Sequence, residues 1–250
     1  MHLAPFSFAA LTAALTLSPG AFSVSLSKAA ILGSTAGVTS SLSDRTTSLG
    51  PSALRFGRSL GSPTDGHLVG GAHLVESGDL RVMPNDAAGD VRWGLEPLVA
   101  MIERAARAVR RQFPGAIESV GHLSRRGGGD IERHRSHESG RDADVGFYIR
   151  SATGRELFPS HFVPFRADGT APSWRGAYFD DARNWALVAA LLSDPQAHVT
   201  HLFVASPIRA RLLAYAERAS EPIALRVRAA ELMQQPHGVL PHDDHFHVRI

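Results

Sequence analysis

The sequence predicts an α+β fold: a small antiparallel sheet carrying the histidine-rich segments, with helices packed around it. Three observations point there. Helix-spaced and strand-like apolar patterns interleave along the chain. The pieces between strands vary in length, which disfavours a regular βαβ wind, and no internal repeat is present. The chain also ends on HDDHFHVRI, whose polar–apolar alternation is that of a half-buried strand.

The elements follow in order. Ser59 to Leu74 (SLGSPTDGHLVGGAHL) is turn-rich with short extended pieces. Leu98, Met101, Ile102, Ala105 and Val109 recur at helical spacing, so a helix is predicted over Leu95–Gln112. Ile117–Leu123 reads as a strand, Arg125–Asp130 as a glycine-rich loop and Ala143–Ile149 as a second strand. NWALVAALL at Asn184–Leu192 is a buried helix, with Asp180 or Asp181 near its start. Val199–Ala205 is a third strand. Pro207–Ala219 is a helix with proline in its first turn, and Ala224–Met233 is another helix. Asp244–Ile250 is the last strand.

Composition narrows the chemistry. The 250 residues are 44% hydrophobic and 20% charged with a net charge of +2, which suits a folded core rather than disorder. No apolar run approaches the roughly 20 residues that cross a bilayer, so no transmembrane span is expected. Lys28 is the only lysine among 26 basic residues, and the arginines are scattered and mostly balanced by acids. No basic block argues for nucleic acid. With no cysteine, disulfides, thiolate nucleophiles and iron–sulfur sites are excluded. A transition metal must be held by His, Asp or Glu, and the chain has 13 histidines.

Residues 1–22 resemble the apolar and cleavage regions of a secretory signal, although a positive first region is missing. Residues 23–58 are rich in Ser, Thr, Gly and Ala and read as a flexible leader. The folded domain is expected over 59–250.

The informative residues lie in two segments, RHRSHESGRDADVGFY (133–148) and HDDHFHVRI (242–250). Strand alternation puts His245, His247 and Arg249 on one face, and Phe246, Val248 and Ile250 on the other. The second set packs on the core, and the first looks into something polar. His242 is placed in a loop over that polar face. His137, in the turn Ser136–Gly140, can converge with Asp144 at the start of its strand. Asp142 shares the face of Asp144, and spacing alone does not separate the two. Two histidines and a carboxylate suit zinc, and three protein ligands leave the fourth position of a catalytic site open.

SHESGRDADVGF together with HDDHFHVRI resembles the penicillin-insensitive murein endopeptidases, zinc peptidases related to the D-Ala-D-Ala peptidases and to the zinc domain of hedgehog. SLGSPTDGHLVGGAHL, FDDARNWALVAALLSDP and THLFVASPIRARLLAYA look like the same family and occur in the expected order, so the resemblance spans roughly 59–250. It implies His137, Asp144 and His247 as the ligands of one catalytic zinc ion, with His245, His242 and His134 beside it. Some members carry further metal-binding residues in an Asp-Gly-x-His segment. Here Asp168 and Gly169 remain, but Ala171 stands where the histidine would be, which disfavours a second ion. The substrate implied is the D-alanyl–meso-diaminopimelyl cross-link between peptidoglycan stem peptides, and hence a periplasmic or secreted protein.

A base must move a proton from water to the leaving amine. No HExxH glutamate is present. His245 is the first choice and His242 the second, with Asp244 weaker: within the strand, alternation points it away from His247, though a bend at the strand start would undo that. His134 is read as an orienting or substrate-binding neighbour. Arg141 and Arg183 are read first as structural and second as partners of stem-peptide carboxylates. Trp185 is read as core. His67, His73, His122, His161, His198, His201 and His237 are assigned no role. The rival readings are a D,D-dipeptidase or carboxypeptidase of the same superfamily, and a non-catalytic zinc-stabilised wall-binding module. No oligomeric state follows from the sequence.

Overall fold

A computed structural model describes residues 57–250 apart from Arg133. The predicted signal (1–22) lies outside the described residues, as does all but the end of the predicted leader (23–58).

The described residues open with a hairpin of β1 (Arg58–Ser62) and β2 (Asp65–Val69), which pair antiparallel. The short β3 (Ala72–His73) pairs with β5 (Trp93–Gly94). Between them lie β4 (Leu80–Val82) and a 3-10 turn, Pro84–Gly89. Helix α1 (Glu96–Gln112) starts with Pro97 in its first turn, where a missing N–H costs nothing. Its buried residues include all five that the spacing marked: Leu98, Met101, Ile102, Ala105 and Val109. After β6 (Glu118–Val120) and β7 (Asp142–Gly146) come β8 (Ile149–Ser151), β9 (Glu156–Leu157) and β10 (Ala177–Phe179). Helix α2 (Asp181–Leu192) is capped by Asp180, whose Oδ1 accepts from Arg183 N at 3.1 Å. The chain closes with β11 (His201–Phe203), α3 (Ser206–Arg218), α4 (Ile223–Leu232), β12 (Met233–Gln234) and β13 (His245–Arg249).

The α+β class holds, and the sheet carrying the histidines is larger than the small antiparallel one expected. It has six strands in the order β12-β11-β13-β7-β6-β4. The four inner strands pair antiparallel. The outer pairs, β12 with β11 and β4 with β6, are parallel. β8 lies in a separate three-stranded sheet with β9 and β10. Ala143–Ile149 is therefore not one strand. It breaks after Gly146 because Asn184 of α2 takes both backbone groups of Tyr148. Tyr148 N donates to Asn184 Oδ1 at 2.9 Å, and Asn184 Nδ2 donates to Tyr148 O at 2.8 Å. A side chain thus replaces the ladder where the chain changes sheets.

One face of the large sheet is apolar. Ala143, Val145, Leu202, Phe246 and Val248 are fully buried in a core that includes α1 and α2, which pack on each other. Phe147 sits edge-on to Phe246, Phe179 and Phe165, with ring centres 4.7, 5.1 and 6.2 Å away. Trp185 is buried in this core, as the sequence suggested. The opposite face carries the polar residues of β7 and β13.

Candidate metal centre

β7 and β13 pair in a register that sets His247 directly across from Asp144, and Arg249 across from Asp142. The period of two then points Asp142, Asp144, His245, His247 and Arg249 away from the apolar core. The turn 136–140 brings His137 over the same face. His137 has a left-handed backbone (φ 75), a conformation that costs energy in a non-glycine residue and clusters at functional sites. Two bonds hold it there. His137 N donates to Asp142 Oδ2 at 3.4 Å, and the ring Nδ1 donates to Leu123 O at 2.7 Å. Gly140 closes the turn at φ 76, against Leu68. A Cβ there would lie 2.6 Å from Leu68 Cδ1, so only glycine fits.

The two ring hydrogen bonds decide which nitrogens are available. With Nδ1–H of His137 on a carbonyl, its Nε2 is left facing Asp144 Oδ1 at 3.2 Å. His247 Nε2 donates to Asp142 Oδ1 at 2.8 Å, which leaves its Nδ1 at 3.1 Å from the same Asp144 oxygen. His137 Nε2 and Asp144 Oδ1 are buried and have no hydrogen-bond partner. Buried polar atoms left in this state call for an explanation, and a bound ion or water is one. Ligands at about 2.0–2.1 Å from zinc, at tetrahedral angles, lie roughly 3.3 Å apart. The two separations fit that edge. Donating the other ring N–H to a carbonyl or carboxylate is also what metal-binding histidines almost always do. The residues present therefore fit a zinc-type ion held by two imidazoles and a carboxylate. His134, His137 and Asp144 form one group able to hold a metal ion, and His242, His245 and His247 form another.

All six histidine and aspartate residues expected at the site line one cleft of about 840 Å³. Asp142 is behind it, holding His247 and accepting from Arg249 Nε at 2.6 Å. Asp168 is outside it: its Oδ1 closes a turn by accepting from Thr170 N and Oγ1 at 2.9 and 2.7 Å. Arg141 and Arg183 are structural. Arg141 donates to Ser59 Oγ, and Arg183 pairs with Asp180 and Glu156.

Electrostatics separates the histidines. Burial depresses His134 and His242 to about 4, so both rings are neutral near pH 7. Burial also opposes charge on His245, but Asp144 and Asp244 outweigh it and raise the ring to about 10. Burial works against ionised Asp144 as well, yet His137 and His245 hold it well below the usual carboxylate range. A cation beside Asp144 would cancel most of what that carboxylate does to His245.

Asp244 sits just before β13, outside its alternation, and serves His245. Its Oδ1 is 2.6 Å from His245 Nδ1, which leaves His245 Nε2 aimed at Asp144 Oδ1, 3.3 Å away. Phe162 stacks on the His245 ring at 4.7 Å. The ring centre of His242 lies 5.1 Å from that of His245, and its buried Nδ1 has no partner.

His122, given no role from the sequence, stands behind the cleft histidine His134. Its Nδ1 is 2.8 Å from His134 Nε2, its Nε2 is 3.6 Å from Asp86 Oδ1, and His134 Nδ1 is 3.6 Å from Asp144 Oδ2. Pairing the predicted strands 117–123 and 143–149 would have placed it, since Asp144 N donates to His122 O. Asp86 lies on the 3-10 turn and Phe162 outside any helix or strand, and neither carries a comparable signal.

The cleft thus combines His and Asp side chains that could hold a metal ion with neutral and carboxylate-oriented imidazoles. A profile of the penicillin-insensitive murein endopeptidase family matches residues 59–250. The chain belongs to that family, whose name denotes a peptidase acting on murein. No curated protein matches the chain. Among the described residues, no helix is long and apolar enough to cross a membrane.

Proposed function

We propose that the chain is a zinc-dependent murein endopeptidase that hydrolyses the D-alanyl–meso-diaminopimelyl cross-link of peptidoglycan. The observation that carries this reading is the pair of committed ring N–H groups. They turn His137 Nε2 and His247 Nδ1 onto one Asp144 oxygen at 3.2 and 3.1 Å.

His137, Asp144 and His247 hold the ion. Bound zinc would supply Lewis acidity, lowering the pKa of a water from about 15.7 towards 7 and polarising the scissile carbonyl. His245 is the base: Asp244 fixes its Nδ1–H, so Nε2 takes the proton from water and passes it to the leaving amine. His242, neutral by burial, stands second in line. His134, tied through His122 to Asp86, orients substrate or water. One ion is proposed: both candidate groups converge on Asp144 Oδ1, which lies 3.2, 3.3 and 3.1 Å from His137, His245 and His247, and the closed Asp168 turn with Ala171 adds no ligand. The substrate places the protein in the periplasm or outside the cell. Residues 1–22 are assigned to export, 23–58 to a leader and 59–250 to the catalytic domain.

Product analysis tests the reading. Zinc-loaded protein is expected to split a cross-linked muropeptide dimer into two monomers and to leave an uncross-linked pentapeptide intact. Release of D-alanine from the pentapeptide with the dimer untouched would make it a carboxypeptidase. Zinc binding with no hydrolysis of either would leave a wall-binding module.

A further inference from the structure

The cleft has two unlike walls. One is the loop 235–243, which brings Val239 and Leu240 to the cleft, with Leu240 86% exposed. The other is the turn carrying His134 and His137, and Arg135 lies between those two residues. Arg249 also lines the cleft but is already engaged. Its Nε donates to Asp142, and its guanidinium lies 5.4 Å from the Phe203 ring centre. Arg135 is exposed and has no hydrogen-bond or ion-pair partner among the described residues. The acids that line the cleft do not neutralise it. Asp144 faces the histidines, and Asp244 takes His245.

We propose that Arg135 binds substrate and selects a peptide bearing a free carboxylate beside the scissile amide. The inference rests on the endopeptidase reading and deepens it. A guanidinium presents a planar fork that matches a carboxylate through two parallel hydrogen bonds. Two residues of chain span at most roughly 7 Å, so Arg135 stays close to the ligand His137. In the proposed cross-link, the leaving nitrogen is bonded to a diaminopimelyl carbon that itself carries a carboxylate. An anion at that carbon falls within reach of an arginine on the ligand turn. The apolar Val239 and Leu240 of the same cleft offer it no competing partner.

The test uses the full chain with zinc and two cross-linked dimers, identical except that this carboxyl is free in one and amidated in the other. The wild-type protein is expected to favour the free acid by about tenfold in kcat/KM. Arg135→Ala is expected to raise KM about tenfold on the free acid, with kcat within twofold, and to leave the amidated dimer unaffected. Arg135→Lys keeps the charge without the fork and is expected to fall between. Equal losses on both dimers, or no change on either, overturn the inference and leave the endopeptidase reading standing. Failure of wild-type protein to cleave either dimer overturns both. Zinc content and melting temperature of Arg135→Ala, measured alongside, are expected to match wild type.

Discussion

Three histidines of the cleft are defined by what their second nitrogen touches. His137 and His247 give one N–H to an acceptor behind them, and His245 gives its own to Asp244. Asp142→Asn keeps the shape but weakens the acceptor for His247. Zinc affinity, read by competition with a chelator, is expected to fall ten- to a hundredfold while the protein stays folded. The proposed base separates from its neighbour by rate. His245→Ala is expected to lower kcat by 10²–10⁴ with zinc content unchanged, and His242→Ala to lower it far less. The reverse order would exchange their roles. Much of this was legible from the sequence, because alternation alone put His245 and His247 on one face and Phe246 and Val248 on the other. It left Asp142 and Asp144 equivalent, since both point the same way. What divides them is depth across the strand pair: Asp142 faces Arg249 and Asp144 faces His247. His122 stayed hidden for a related reason. Its partners, His134 and Asp86, are distant in sequence and meet only once β6 lies beside β7.

At the scale of elements, local signals located the helices to within a few residues and the strands less well. Helix α2 begins where Asp180 caps it, and the cap is buried and doubled. Asp180 accepts from Arg183 N, and its other oxygen lies 2.5 Å from Arg183 NH1. Asp180→Ala is expected to cost about 2 kcal/mol, or roughly 4–8 °C in Tm for a domain of this size, measured by calorimetry. A change under 1 °C would show the cap to be dispensable. The strand over Ala143–Ile149 was misjudged because its apolar run continues through the break. Nothing local marks the change of sheet at Tyr148, where Asn184 supplies the hydrogen bonds from another element. The short, parallel outer strands were likewise invisible, since β4 and β12 have three and two residues and gain their partners only in the assembled sheet.

At the scale of the whole molecule, Glu118 is an acid buried outside the charged cleft. Glu118 is 1% exposed, and burial pushes its carboxyl well above the usual carboxylate range. Above about 4.5 the unfolded chain loses that proton before the folded protein does. The native state then binds more protons, so this residue's contribution falls as pH rises above about 4.5 and is most favourable below that value. Glu118→Gln removes the dependence. Its gain in melting temperature is expected to be larger at pH 7.5 than at pH 4.5, and an equal gain at both would show that the carboxyl ionises in the fold. The central claim is that hydrolysis of the cross-link depends on an ion held by His137, Asp144 and His247. Its most direct measurement is mass-spectrometric cleavage of a purified cross-linked dimer by protein that has been stripped with chelator and then titrated with zinc. Product is expected to appear in proportion to zinc, to saturate at one ion per chain, and to be absent in His137→Ala at the same zinc concentrations. Cleavage by the stripped protein, or an intact dimer with one zinc bound per chain, would contradict it.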